Sequence, residues 1–270
     1  MTPSNYLAVC AIYRDEGPYL REWVEFHRLA GVERFYLYDN RSTDEHEEVL
    51  RPYVEEGLVE LNPWPIHPAQ IQAYQDCLLR HRGDSRWIAF IDLDEFLFSP
   101  LGRSLPDVLS EYEQWPGVGV NWAVFGTSGH RARPEGLVLE NFTRRTDRNV
   151  NKTIKTIVDP SDVRAFCQPH FFMFRSGPTV DENGKPITGP PFSATKEISF
   201  DRLRVNHYAT KSEEEFRSKL TRGHADATPP KSELMDENDI QNRFALLDKV
   251  TDTTIQMYLP QLREASMVRS

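Results

Sequence analysis

Arg86-Trp87-Ile88-Ala89-Phe90-Ile91-Asp92-Leu93-Asp94-Glu95-Phe96 decides how the rest of the chain reads. Ile88 to Ile91 is an unbroken apolar run, the pattern of a strand buried on both faces of a mainly parallel sheet. The run stops on three carboxylates, Asp92, Asp94 and Glu95. In open α/β sheets the ligand crevice lies at the carboxyl ends of the strands. Acids crowded there repel one another unless a cation shares them, and oxygen ligands suit Mg²⁺ or Mn²⁺. Side chains at i and i+2 of a strand point the same way, so Asp92 and Asp94 are candidates for one metal. Two solvated loop acids would look the same; the buried strand in front of them favours a metal–diphosphate site.

Towards the N-terminus, Tyr6 to Tyr13 reads as a strand ending on Arg14-Asp15-Glu16-Gly17-Pro18. Pro18 suits the first turn of a helix. Leu20, Trp23, Val24, His27 and Ala30 follow at helical spacing, and Gly31 supplies the stop. Phe35 to Tyr38 is a second strand ending on Asp39-Asn40-Arg41-Ser42-Thr43-Asp44, and Ser42-x-x-Glu45 reads as a capping box opening the next helix. Pro52 bends or shortens that helix and Gly57 closes it. Leu58 to Leu61 is a third strand, and the prolines at 63, 65 and 68 force an extended loop. Ala69 to Arg82 reads as a helix with Ile71, Tyr74, Leu78 and Leu79 inward. Alternating strands and helices make a Rossmann-like half with parallel pairing. That half places Arg14, Asp15, Asp39, Asp92 and Asp94 along one rim.

Towards the C-terminus, Ser104 caps a helix carrying Leu105, Val108, Leu109 and Tyr112. Val118, Val120, Trp122 and Val124 alternate as in a half-buried strand, and Phe125 to His130 is a loop with two glycines. Thr153 to Val158, Val163 to Phe174 and Leu203 to Tyr208 read as strands. Gly177 to Pro191, rich in glycine, proline and charge, reads as a mobile hairpin or flap. Ser212-x-x-Glu215 caps a helix through Arg222, and Asp236 to Asp248 is a terminal helix. The expected organisation is one α/β domain over 1–270. It divides into a nucleotide-binding half (1–100), an acceptor-binding half (101–226) and a helical tail (227–270).

Composition narrows the function classes. Apolar content of 39% in 270 residues is enough for a full core. A net charge of −9, from 32 basic and 41 acidic residues, argues against a nucleic-acid backbone as partner. Cys10, Cys77 and Cys167 lack metal-ligand spacing and read as buried thiols of a reducing compartment. The sequence offers neither a signal peptide nor the ~20-residue apolar run of a membrane helix. The expectation is a cytoplasmic enzyme, with peripheral membrane contact left open.

Six segments in order resemble glycosyltransferase family 92 and its family 2 relatives of the GT-A fold. They are Asp39-Asn40-x-Ser42-Thr43-Asp44; Trp87 to Phe96; Trp122-x-x-Phe125-Gly126-x-x-Gly129-His130; Lys155-x-Ile157-Val158-x-Pro160; His170-Phe171; and Asn206-His207-Tyr208 with Lys211-Ser212-x-Glu214-Glu215-Phe216. Lys219 and Arg222 follow the last segment. The resemblance implies a GT-A fold, with a Rossmann-like half and a mixed central sheet carrying helices on both faces. It also implies a UDP-sugar donor, a divalent cation (Mn²⁺ or Mg²⁺), a glycan or other hydroxyl acceptor, and inversion at the anomeric carbon.

On that resemblance Asp92, Asp94 and His207 are the metal candidates; a metal there neutralises charge on the departing diphosphate. Arg14, Asp15, Asp39, Gln72, Asp92, Lys211, Lys219 and Arg222 are donor candidates, and Gln75 and Lys155 stand beside them. Trp122, Phe125 and His130 are acceptor candidates. Inversion needs a base for the acceptor hydroxyl; Glu140 ranks first and Glu135 second, with Asp147, Asp181 and Asp226 behind. Three other readings fit less well. A haloacid-dehalogenase-like phosphotransferase has a small hydroxyl residue where Phe96 stands. A non-catalytic carbohydrate/nucleotide-binding protein is the alternative of a different class; a carbohydrate-binding module would need neither the acidic rim nor a closing helix bearing Lys and Arg. A sugar-nucleotide pyrophosphorylase has a glycine-rich loop after its first strand.

Overall fold

The computed structural model of the chain describes residues 3–67, 69–147, 151–188, 192–222 and 235–268. Its first half alternates strand and helix: β1 (Asn5–Tyr13), α1 (Gly17–Leu29), β2 (Arg34–Asp39), α2 (His46–Glu55), β3 (Val59–Pro63), α3 (Gln70–Arg80) and β4 (Ser85–Phe90). All four strands are parallel in the order β3-β2-β1-β4. Alternate residues of β1 feed two cores. Leu7, Val9, Ala11 and Tyr13 face α1; Ala8, Cys10 and Ile12 face α3. β4 divides likewise, Trp87 and Ala89 on one side and Ile88 and Phe90 on the other, so the run that opened the reading is buried on both faces.

The second half is mixed. Its elements are β5 (Glu95–Phe98), α4 (Leu105–Leu109), β6 (Gly117–Val124), α5 (Val138–Asn141), β7 (Arg144–Arg145), β8 (Ile154–Val158), β9 (Val163–Gln168), β10 (Phe171–Phe174), β11 (Thr179–Val180) and β12 (Arg204–His207). The sheet continues β4-β8-β6-β12-β5. β8 runs against β4 and β6, whereas β12 runs with β6. The strand ends of β6 and β12 and the start of β8 therefore share the edge where β1 to β4 end. Beyond β12 come α6 (Glu213–Arg222), α7 (Glu237–Leu247), β13 (Val250–Thr251) and α8 (Leu259–Val268). Phe216 and Leu220 of α6 pack on Ile240 and Phe244 of α7. Leu262 of α8 joins the core beside α1, and Tyr258 sits 5.0 Å from Phe26.

Several local expectations give way to tertiary contacts. Helix α2 begins at His46 rather than at a Ser42 cap. Ser42 instead accepts from Asp15 N–H (2.9 Å) and donates its own N–H to Asp39 Oδ1 (2.9 Å), so loop–loop bonding claims the cap residue. On α3 the inward residues are Ala73, Tyr74, Cys77 and Leu78; Ile71 and Leu79 lie outside at 41% and 81% exposure. β6 is flanked by strands on both sides and buried on both faces save at Trp122, not half-buried. Residues 163–174 form a hairpin of two strands. The expected flap is built into the sheet as far as it is described. β11 pairs with β6, and Glu182, buried, accepts from the N–H groups of Asp201, Arg202 and Leu203. Residues 189–191 of that segment lie outside the described residues, as do Asp226 and Gly223.

Candidate active site

The carboxyl-end edge of the sheet gathers the candidate residues. The loop after β1 is tied to the loop after β2: Asp15 Oδ1 accepts from Thr43 N–H (2.8 Å), and Asp44 Oδ2 accepts from Gly17 N–H (2.7 Å). Asp15 takes a φ of 53°, a left-handed conformation that an aspartate tolerates better than most side chains. Arg14 Nε lies 3.5 Å from Asp15 Oδ2. Asp39 closes β2, holding Ser42 N–H on Oδ1, with His46 Nε2 at 3.9 Å.

The chain leaves β4 at Asp92 and turns tightly, Glu95 N–H donating to the Asp92 carbonyl (3.0 Å) and Asp92 N–H to Glu95 Oε2 (2.9 Å). The turn sends Asp92, Asp94 and Glu95 in different directions. Asp92 Oδ1 accepts from Gln70 Nε2 (2.8 Å) and Tyr74 OH (3.3 Å), and its Oδ2 from Lys155 Nζ (2.8 Å). Glu95, wholly buried, lies 3.3 Å from the same ammonium. Asp94 Oδ2 is paired with Lys219 Nζ of α6 and lies 3.6 Å from His207 Nε2 at the end of β12. Tyr208 N–H donates to the Asp94 carbonyl (2.8 Å), which fixes β12 to the acidic turn.

Electrostatics follow from this pairing. Burial alone would raise both aspartates; Lys155 beside Asp92 and Lys219 beside Asp94 overcome it and hold both carboxyls below their ordinary range. Glu95 goes the other way, well above its ordinary value, because burial outweighs its share of Lys155. Lys155 and Lys219 are both raised: burial works against their charge, and the adjoining acids more than offset it. Lys211 is lowered by burial, although its Nζ reaches Glu16 Oε2 (2.9 Å) and sits 3.2 Å from the Tyr19 ring centroid.

An aromatic ladder leads away from the acids. The His207 ring lies 4.5 Å from Trp122, whose ring is 5.3 Å from His170. His170 hydrogen-bonds the Ile154 carbonyl (2.9 Å) and is pushed down to about 4 by burial and by Lys155.

Asp92, Asp94, His207, Lys155, Lys219 and Trp122 are thus brought together. Other expected residues are placed elsewhere. Gln72 and Gln75 are exposed on α3, and the glutamine that reaches Asp92 is Gln70. Gln70 lies four residues before the buried Tyr74, hence on the same helix face, and that spacing was the available signal. Phe125 is wholly buried against Tyr208 (4.9 Å), which leaves no ring face for an acceptor sugar. His130 packs on Phe142 and bonds the Asn141 carbonyl (3.2 Å). Glu135 is exposed. Glu140 is paired with Arg263 and accepts from Leu137 N–H (3.2 Å); burial opposes its charge, but these two partners hold the carboxyl below its ordinary value. The side chain of Arg222 lies outside the described residues.

The donor chemistry fits a divalent cation at two of the three expected ligands. Asp94 and His207 aim an oxygen and an imidazole nitrogen at each other, His207 Nδ1 is buried without a hydrogen-bond partner, and the Lys219 ammonium stands in for a cation on Asp94. Asp92 spends both oxygens on Gln70, Tyr74 and Lys155. No group of three His, Cys, Asp or Glu ligands is preformed among the described residues. Mg²⁺ is commonly held by only one or two protein carboxylates, with waters and substrate phosphates completing the shell.

The glycosyltransferase family 92 model matches residues 5–244. The chain belongs to glycosyltransferase family 92. A family 92 protein of Ricinus communis is 30% identical over 226 residues, 80% of this chain and 37% of its own length. A galactan β-1,4-galactosyltransferase of Arabidopsis thaliana is 32% identical over 106 residues, 36% of this chain and 20% of its own. Staphylococcus aureus TarS, a solved structure, aligns with a TM-score of 0.41 at 11% identity over 58% of this chain and 47% of its own. The chain spans about a third of the length of the curated family 92 relatives it matches. The α/β class expected from the sequence, a Rossmann-like half continued by a mixed sheet, is the one observed. Among the described residues, no helix is long and apolar enough to cross a membrane.

Proposed function

We propose that this family 92 glycosyltransferase moves a hexose from a UDP-sugar to a glycan or other hydroxyl acceptor, with inversion, and uses Mn²⁺ or Mg²⁺. The observation that carries the reading is Asp94 facing His207 at the strand-end edge, with Lys219 and Lys211 above. A diphosphate leaving group needs positive charge there, and cations in a partly buried site act more strongly than in water. The metal, when bound, would neutralise the departing diphosphate; Asp94 and His207 would hold it.

Around that centre, Asp92 keeps Lys155 and Gln70 in place, and Lys211 and Lys219 face the diphosphate. Arg14, Asp15 and Asp39 line the nucleotide side of the rim. Trp122 offers the partly open ring on the acceptor side. Glu140 is engaged by Arg263 and is given no base role in this scheme; Glu135 is exposed and keeps its candidacy.

The test is a thermal shift with UDP, GDP and CMP, each with and without Mn²⁺, followed by a UDP-hexose panel with the product anomer read by NMR. A ligand that binds the native state raises the midpoint by mass action. A rise with UDP only when Mn²⁺ is present supports the reading; no rise with any nucleotide sinks it.

A further inference from the structure

The two ammonium groups of the acidic turn differ in how they are held. Lys155 projects from a strand between two others and its side chain is 2% exposed. It touches both Asp92 and the wholly buried Glu95 and cannot leave without abandoning both carboxyls. Lys219 hangs from α6 on a flexible stem, 31% exposed, and pairs with Asp94 alone among the acids of the turn. The oxygen it takes, Asp94 Oδ2, is the one that faces His207 Nε2 at 3.6 Å. A divalent cation between that oxygen and that nitrogen would meet the Lys219 ammonium at contact distance. Two cations on one carboxylate oxygen repel each other, and an anion drawn between them relieves that repulsion.

Resting on the metal-dependent reading above, we propose that Lys219 is an exchangeable counter-ion. Its ammonium occupies Asp94 until a divalent cation displaces it, and the displaced ammonium then pairs with the donor diphosphate. Cation and diphosphate consequently bind with positive coupling. Without the diphosphate, the metal must strip Asp94 of its partner and leave Lys219 beside it; with the diphosphate, the freed ammonium gains a new anion. Coupling of this kind is reciprocal between the two ligands and commonly amounts to about 5–150-fold in affinity. It also gives the site an order: a nearly neutral pair at Asp94 in the resting protein, and a cation held firmly only when there is a diphosphate to be activated.

The experiment titrates Mn²⁺ into the full chain and follows the free-ion signal by electron paramagnetic resonance. Wild type and Lys219→Met are compared, each with and without UDP, after subtraction of the Mn²⁺–UDP blank. Lys219→Met is expected to bind Mn²⁺ alone about tenfold tighter than wild type, and to lose most of the tightening that UDP brings. Lys219→Gln, which keeps a polar end at this partly exposed position, repeats the comparison should the methionine variant fold poorly. Equal Mn²⁺ affinity in wild type and variant, or the same UDP-induced gain in both, overturns the proposal and leaves the metal-dependent reading standing. No Mn²⁺ binding by any of the proteins, with or without UDP, overturns both. Mn²⁺ binding by the variant alone supports the exchange in its strongest form.

Discussion

Lys155→Met removes the cation that Asp92 and Glu95 share. Its Nζ lies 2.8 Å from Asp92 Oδ2 and 3.3 Å from Glu95 Oε2. At an effective dielectric constant of about 20, each contact carries roughly 5–6 kcal/mol of gross attraction, most of it cancelled by desolvation of three charges. Removing one partner leaves that desolvation uncompensated, and the expected loss of stability is about 3–5 kcal/mol. The loss depends on pH with a definite sign. Burial already raises the Glu95 carboxyl well above its ordinary value of 4.5, and Lys155 is what opposes the rise; without it the carboxyl rises further. A group raised in the folded state contributes stability that is fully present below its unfolded value and is lost as pH climbs through the folded one. The variant's deficit should therefore be larger at pH 8 than at pH 5. Guanidinium unfolding of wild type, Lys155→Met and Lys155→Met/Glu95→Gln at both pH values measures it. The double variant, which no longer buries that charge, should recover part of the deficit at pH 8. A deficit below about 1 kcal/mol at pH 8, or one equal at both pH values, would refute this account of the turn.

Other consequences can be measured separately. Asp94→Asn should fold but show no Mn²⁺-dependent thermal shift with UDP; an undiminished shift removes Asp94 from the metal site. Glu22, buried with its oxygens on Val138 N–H (2.8 Å) and Leu139 N–H (3.1 Å), is pushed up by burial from 4.5 to about 7. Its stabilising share is complete below 4.5 and lost as pH rises through about 7. Glu22→Gln should flatten the fall in urea stability between pH 5 and 8 by on the order of 2–3 kcal/mol, and parallel curves would contradict the burial. Glu140→Gln should lower kcat less than tenfold, since Arg263 already engages that carboxylate; a loss of about 10²–10⁴ would restore Glu140 as the base.

The sequence shows the site better than it shows its counter-charges. An apolar run ending in acids locates the crevice, because burial on both faces and a strand end are each legible in one dimension. His207 is reached only through the family 92 resemblance of Asn206-His207-Tyr208, whereas α6 is found by Ser212, whose Oγ accepts from Glu215 N–H (3.3 Å) as a capping box requires. Ser42 carries the same signal and fails, because Asp39 at the end of β2 and Asp15, distant in sequence, compete for it. Phe125 looks like a loop aromatic and is core, since Gly126 beside it abuts Leu247 and Asp248 from beyond α6. The pairing of Lys155 with Asp92 spans 63 residues and depends on strand direction, which no local pattern encodes.

Strand direction is also what lets the acidic turn exist. In a wholly parallel sheet every strand starts at the edge opposite the ligand crevice, so no residue at a strand start can reach acids at a strand end. β8 returns antiparallel beside β4, with Ala89 opposite Ile157 and Ile88 opposite Val158. Two residues before Ile157, at the start of β8, stands Lys155, level with the place where β4 gives out into Asp92. β12 then runs with β6, so that its last residue, His207, reaches the same edge. The reversal delivers a fixed cation and the second parallel strand delivers an imidazole nitrogen. One rigid ammonium can neutralise Asp92 and part of Glu95, and Asp94 is left with its charge open to α6. A sheet that buried all three acids behind fixed lysines would be more stable and would have no carboxylate to offer a metal; the mixed order of strands leaves one of the three exchangeable.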